Sequence, residues 1–489
     1  MEKIKSFLTE NKSTKQIFFK NSFWLFSGNV ISRILRAALV IASARILKTE
    51  GYGIYSYALS LAGFFTIFSD IGISSLLTRE VAKKQGDNYE KTYISNTFYI
   101  KIILIITSSL LLIFVGPFFT KIEGVTTILP LIAILTASDS LRGFFYSIAR
   151  ALNKMEIEAK SLIATEIFID TIVFAILILN PTIFSVTSGY TAGAFLGCVL
   201  SAWQTRKFWS SAIKIKPSRD ILKTIISESW PFAIVGVFGS FMINIDSIII
   251  GMFRSAHELG IYGAANKPVQ LMYIIPSLFS ASIFPLISSL IHKNEMERAK
   301  TIINNLIKGL MMIAFPITIG GILTAPMLIE LMFGKLYLEG IFTFQLLLLT
   351  IIPIFIGTAF GNSIFALNRQ NIFIKTTAAG AFTNTILDLI LIPTYGLPGS
   401  AVATIISQIV ANGYVGLKLN EIIKINPFKG ISKIIISTLF MTIALFFMLY
   451  LKLNFFFIVF LGIIIYFGTL ILLKEDSLKA IPLLNKLIK

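Results

Sequence analysis

Residues 343–367 contain no charged side chain, and neither do residues 453–473. A bilayer core about 30 Å thick is crossed by roughly 20 helical residues. Both runs exceed that length, and each would leave a soluble chain with an apolar surface that water cannot cover. Only 14% of the chain is charged, against about a quarter in soluble domains. The sequence therefore predicts an all-α polytopic membrane protein.

Apolar segments of spanning length lie near residues 21–45, 53–78, 93–119, 125–149, 160–180 and 184–205. They resume after a basic linker near 224–251, 259–290, 302–330, 341–367, 372–393, 398–418, 433–451 and 454–473. About fourteen transmembrane helices are expected. The net charge of +18 would suggest nucleic acid in a soluble protein. Here the basic residues sit between apolar segments, and no nucleic-acid partner is expected. With the N-terminus inside, cytoplasmic loops and tails hold 31 of the 43 Lys and Arg, and outer loops hold 6. That alternation places both termini in the cytoplasm of a multi-pass cell-membrane protein. Residues 1–20 read as a cytoplasmic interfacial tail, with a disordered tail as the alternative. No cleavable signal peptide is apparent.

The chain repeats a phrase. EGYGIYSYA at 50–58 returns as HELGIYGAA at 257–265, an offset of 207. Ala151-Leu152-Asn153-Lys154 returns as Ala366-Leu367-Asn368-Arg369. Two ordered echoes point to duplication: an N-lobe of six spans at 21–206, a basic linker at 207–223, and a C-lobe of six at 224–420. Two further spans follow at 431–473, then a cytoplasmic tail at 474–489. An even number of spans makes the repeat parallel, an arrangement in which substrate sits between rocking halves. The glycines of the phrase read as tight-turn residues and its tyrosines as interface anchors.

Charges inside spans are costly and mark pathways or pairs. Asn29, Arg33 and Arg36 form one stripe of span 1 and suggest a polar cavity; the alternative is an ion pair with Asp70 of span 2. Span 4 carries Asp139, Arg142, Tyr146 and Arg150, with Asp139 and Arg142 placed to pair. Span 5 carries Glu166 and Asp170, span 7 Asn244 and Asp246, and span 8 Tyr262, Asn266, Lys267 and Gln270. Spans 11 and 12 carry Thr377, Asn384, Asp388, Thr404, Gln408 and Asn412, where helix–helix hydrogen bonding competes with substrate contact. Arg33, Arg36, Arg142 and Lys267, with Asn29 and Asn266, suggest a cavity for an anion such as pyrophosphate. Asp70, Glu166, Asp170 and Asp246 would balance charge or take up H⁺ or Na⁺ as coupling ions.

No catalytic constellation or nucleotide-hydrolysis motif appears, and the lone Cys198 and two histidines offer no metal site. No cofactor and no enzymatic activity are expected.

The opening NSFWLFSGNVISRILRAALVIASARILKTEGYGIYSYALSLAGFFTIFSDIGISSLLTRE and the later ELGIYGAANKPVQL resemble Wzx-type oligosaccharide flippases. These form the polysaccharide transporter family of the multidrug/oligosaccharidyl-lipid/polysaccharide exporter superfamily. The resemblance implies two helical lobes and export of polyprenyl-pyrophosphate-linked glycans to the outer leaflet. Their destination would be O-antigen, capsule or exopolysaccharide. It matches Arg33, Arg36 and Lys267 to cationic motif positions and Asp70 to the span 2 acid; Arg142 and Asp246 are chosen by position alone. Spans 13 and 14 would fit a lipid groove. Expected partners are the lipid-linked glycan, membrane lipid, and a polymerase with chain-length machinery, around a monomer. The alternatives are a cation-coupled multidrug exporter, a membrane-embedded ligase or transferase, and a scaffold for glycan assembly.

Overall fold

The computed structural model describes residues 14–83, 88–428 and 430–475. The first thirteen residues of the expected interfacial tail, and the C-terminal tail from 476, lie outside the described residues. Every regular element among those described is helical, with no strand. The helices are α1 (Thr14–Phe65), α2 (Ile73–Lys83), α3 (Asn88–Phe114), α4 (Val125–Ala151), α5 (Met155–Leu179), α6 (Ile183–Trp209), α7 (Arg219–Phe253) and α8 (Ala256–Met272). They continue as α9 (Ile274–His292), α10 (Met296–Phe333), α11 (Ile341–Leu348), α12 (Ile351–Ala366), α13 (Gln370–Tyr395), α14 (Leu397–Ile423), α15 (Ser432–Tyr450) and α16 (Phe455–Leu472).

Ten helical segments among the described residues are long and apolar enough to cross a membrane, and the bent pair Ala256–Ser280 with Ser282–His292 makes an eleventh. Fourteen spans is therefore approximate: α1, which carries expected spans 1 and 2, and α13, which carries expected span 11, are not among these segments. The outer loop expected between spans 1 and 2 is a single-residue break in α1, at Lys48 (φ 58°, ψ −174°). Span 2, expected to be continuous over 53–78, ends at Phe65 and restarts at Ile73. Between them Ile71 and Gly72 take positive φ. Span 8 is bent by 41°.

The second echo has a structural reason. Asn153 and Asn368 both adopt φ 56°, the left-handed conformation that ends helices and that asparagine tolerates. The following amides close the same six-residue turn: Lys154 N–H donates to Ala149 (2.9 Å) and Arg369 N–H to Ile364 (3.1 Å). The repeated letters encode a helix stop.

The chain packs as two compact units, Met1–Gly260 and Ile261–Lys489. The cut falls inside α8, and α7 packs with α1, α2 and α3 in the first unit. There, Gly189, Gly193 and Gly197 form one stripe of α6 facing Val173, Ile169 and Thr165 of α5. A Cβ on Gly193 would stand 2.5 Å from the Ile169 Cα, so the two backbones pack at a distance only glycine permits. Gly28 of α1 is similarly close to Ala159 of α5. These contacts fix α1, α5 and α6 against one another around the charged residues of the site. In the second unit, Gly399 of α14 lies against the Leu391 carbonyl of α13. There the Tyr466 hydroxyl of α16 donates to the Met312 carbonyl of α10 (2.7 Å).

The first echo is also a packing device. Gly53 lies against the Ala256 carbonyl, Gly260 against the Thr49 carbonyl, and the Thr49 hydroxyl meets His257 Nδ1 at 2.7 Å. All of these residues belong to the first unit. The phrase glycines thus permit a close helix crossing where a tight turn was expected. Tyr55 is no interface anchor: it is 3% exposed and packs edge-on to Tyr190.

Candidate functional site

The stripe on α1 divides three ways. Asn29 donates to the Leu25 carbonyl at 2.7 Å, so its amide serves its own helix. Arg33 is exposed and makes no ion pair among the described residues. Arg36 reaches across to α5 and holds Glu166 with two donors, Nη2 to Oε1 and Nε to Oε2. Arg36 remains 47% exposed while Glu166 is 2% exposed. An open guanidinium is therefore backed by a buried carboxylate. The alternative pairing with Asp70 does not occur.

Helix α4 brings a second pair. Arg142 Nη2 lies 2.7 Å from Asp139 Oδ1, as the three-residue spacing predicts. Arg142 is buried, its Nη1 makes no hydrogen bond, and its guanidinium stands 5.9 Å over the Tyr146 ring. Tyr190 of α6 lies within electrostatic reach of Arg36, Glu166, Asp139 and Arg142. Asp170, one turn beyond Glu166, has a buried Oδ1 with no hydrogen-bond partner. Three cations and three carboxylates thus share this part of the first unit. Arg36 pairs with Glu166 of α5 and Arg142 with Asp139 of its own helix, while Arg33 has no ion pair among the described residues.

Asp70 stands apart. It sits at the break of span 2, accepts from the Ser74 amide (3.2 Å) and hydroxyl, and pairs with the buried Lys101 of α3 at 2.6 Å. It caps α2 and holds the break in place. Arg150 does not merely extend to the interface; it grips Glu158, itself 2% exposed. Asn244 donates to the Ser240 carbonyl (3.0 Å) and lies beside Gly63, a packing role. Asp246 on α7 is buried.

The remaining candidates lie in the second unit. Asn266 and Lys267 are half-buried on α8, and Tyr262 is fully buried. Asn384 donates to Asp388 at 3.2 Å, with both side chains buried. Asn412 donates to Gln408. Sequence reasoning gave no role to Tyr190 or Lys101. A tyrosine in an apolar helix carries no mark of charged neighbours. Lys101 was visible as a lone mid-span cation, and only packing reveals its acid.

The sequence profile of the family described as polysaccharide biosynthesis protein matches residues 18–291, more than half the chain, including α1 to α8. The chain belongs to the polysaccharide biosynthesis protein family. Its relatives include a Haloferax volcanii protein named as a low-salt glycan biosynthesis flippase. The two are 24% identical over 79% of this chain and 80% of that one. A Shigella flexneri protein named as an O-antigen transporter is 24% identical over 78% of this chain and 93% of that one. A solved structure of the lipid II flippase MurJ in an inward closed conformation superposes with a TM-score of 0.77, covering 93% of this chain and 99% of that chain at 19% identity. An inward-facing multidrug resistance transporter of the MATE family of the MOP superfamily gives 0.67 over 79% and 94% at 14% identity. The two structures share this fold. The family and its neighbours are membrane transporters and flippases, not catalysts.

Proposed function

We propose that this protein flips a polyprenyl-pyrophosphate-linked oligosaccharide from the cytoplasmic to the outer leaflet of the cell membrane by alternating access, supplying surface polysaccharide biosynthesis. The observation that carries this reading is the half-exposed Arg36, one turn from the exposed Arg33, on α1. A planar guanidinium matches phosphate oxygens two at a time, and two such groups on one face suit a pyrophosphate. Arg142 and, in the second unit, Lys267 with Asn266 are further candidates for phosphate or sugar contact. Both termini lie in the cytoplasm, and the protein acts as a monomer beside the polymerase and chain-length machinery.

The alternative is a cation-coupled multidrug exporter, and the MATE-family structural neighbour is a multidrug resistance transporter. Exposed arginines at Arg33 and Arg36 disfavour it, because a cationic drug would meet like charge. The test is outer-leaflet delivery of the lipid-linked glycan in cells whose other exporters have been removed. The wild-type chain restores delivery. Arg33→Ala/Arg36→Ala, inserted at normal levels, reduces it by at least tenfold; full delivery by that variant overturns the pyrophosphate assignment.

A further inference from the structure

We propose that Glu166 is a proton-binding site that fills when the substrate's pyrophosphate takes Arg36 away from it. The inference rests on the flippase reading above and assigns a second ligand, H⁺, to the same site.

The two carboxylate oxygens of Glu166 are both engaged by Arg36. Arg36 is the exposed partner and Glu166 the buried one. An incoming pyrophosphate therefore meets a guanidinium whose best donors are already committed. To bind in the two-pronged geometry it must draw Arg36 off Glu166. That leaves a carboxylate buried among apolar helices, and an uncompensated buried charge costs several kcal/mol. Unless another cation arrives, the charge is removed by a proton.

The groups that face Glu166 supply no such cation. Helices α1, α4 and α6 pack against α5. From α1 come Arg36, the exposed Arg33 and the buried Tyr55. From α4 come Asp139, Arg142 and Tyr146, and Arg142 is committed to Asp139 at 2.7 Å. From α6 comes Tyr190, and α5 itself adds Asp170. Apart from Arg36 and Arg33 these neighbours are acids, phenols and Arg142, whose Nη2 is held by Asp139. Arg33 is the one of these cations with no ion pair among the described residues, and the pyrophosphate itself claims it.

The exchange balances without any other reactant. One ion pair breaks, one forms with the phosphate, and one proton passes from water to a Glu166 oxygen. When the substrate leaves, Arg36 returns and the proton is expelled. Pyrophosphate and H⁺ therefore bind together.

The experiment is titration calorimetry of the full chain in nanodiscs. The probe is a short-chain prenyl-pyrophosphate-linked N-acetylglucosamine, whose phosphate diesters do not titrate near neutrality. Comparing buffers of different ionisation heat counts protons on the wild-type protein, with no variant needed. The expected result is about one proton taken up per probe bound. Affinity should weaken about tenfold per unit rise in pH wherever Glu166 is ionised when free and protonated in the complex. Glu166→Gln should abolish both the uptake and the slope. Tight binding by wild type without proton uptake overturns the inference and leaves the flippase reading standing. Uptake that persists in Glu166→Gln overturns the assignment to this residue. No binding by wild type at all overturns the flippase reading and this inference with it.

Discussion

Arg36 answers to two neighbours of opposite character, the open space beside α1 and the buried Glu166 behind it. Removing it therefore does two kinds of damage. Arg36→Ala strips the buried Glu166 of its partner, whether it then stays charged or takes up a proton, and should destabilise the fold by about 3 kcal/mol, the low end for a broken buried pair because Arg36 is half exposed. Thermal unfolding in detergent would show this as a lowered midpoint. Arg36→Ala/Glu166→Gln should recover most of the loss, since no charge is then left without a partner. Recovery of stability without recovery of glycan transport would separate the folding role of Arg36 from its role toward substrate. The stripe of Asn29, Arg33 and Arg36 was legible in the sequence because one helix turn relates its members. The partner was not. Asp70 and Glu166 are both acids in apolar segments, and only the packing of α1 on α5, set at Gly28 and Ala159, decides between them.

Helix α5 carries Glu166 and Asp170, and its spacing from α6 is held by a glycine face. Gly193→Ala adds a Cβ 2.5 Å from backbone, where no side chain can move aside. The helices must separate. The expected cost is about 1–3 kcal/mol, the usual range for overpacking, read as a lower unfolding midpoint. Gly143→Ala on α4, where a Cβ meets nothing within 4 Å, is the matched control and should be close to neutral. The glycines of α6 were visible in the sequence at four-residue spacing, yet spacing does not say which helix they face. The break at residues 66–72 was less visible still. Its apolar residues continue the hydropathy of a span, and the turn is held by Asp70, Ser74 and Lys101, which come together only when α3 is in place.

For the whole chain, the alternation of apolar runs and basic loops made the helical membrane fold legible, and the family profile and shared fold agree. The number of spans was less so: α1 holds two expected spans across the kink at Lys48, and α13, an unbroken helix, is not among the segments long and apolar enough to span. The orientation is open to a direct test. Cys198 is the sole cysteine and is buried, so the wild-type background should react little. Lys121→Cys, at an exposed position between α3 and α4 expected to lie outside, should react with an impermeant thiol reagent in intact cells. Lys214→Cys, exposed in the basic linker, should react only after lysis. The reverse pattern would invert the topology.

The crossing of the repeated phrase carries a last consequence. Thr49 and Ala256 stand 207 positions apart, as do Gly53 and Gly260. The contact is reciprocal: each copy's glycine touches the carbonyl that precedes the other's. A surface that mates with its own likeness is the form taken by a two-fold dimer interface. Within one chain such a surface is no longer bound to stay identical. His257 has become the partner of Thr49, whereas position 50, the counterpart of His257, is a glutamate. The glycines cannot diverge in that way, because each is held by the backbone opposite. The same crossing therefore constrains its residues unequally, leaving room at its side chains and none at its glycines.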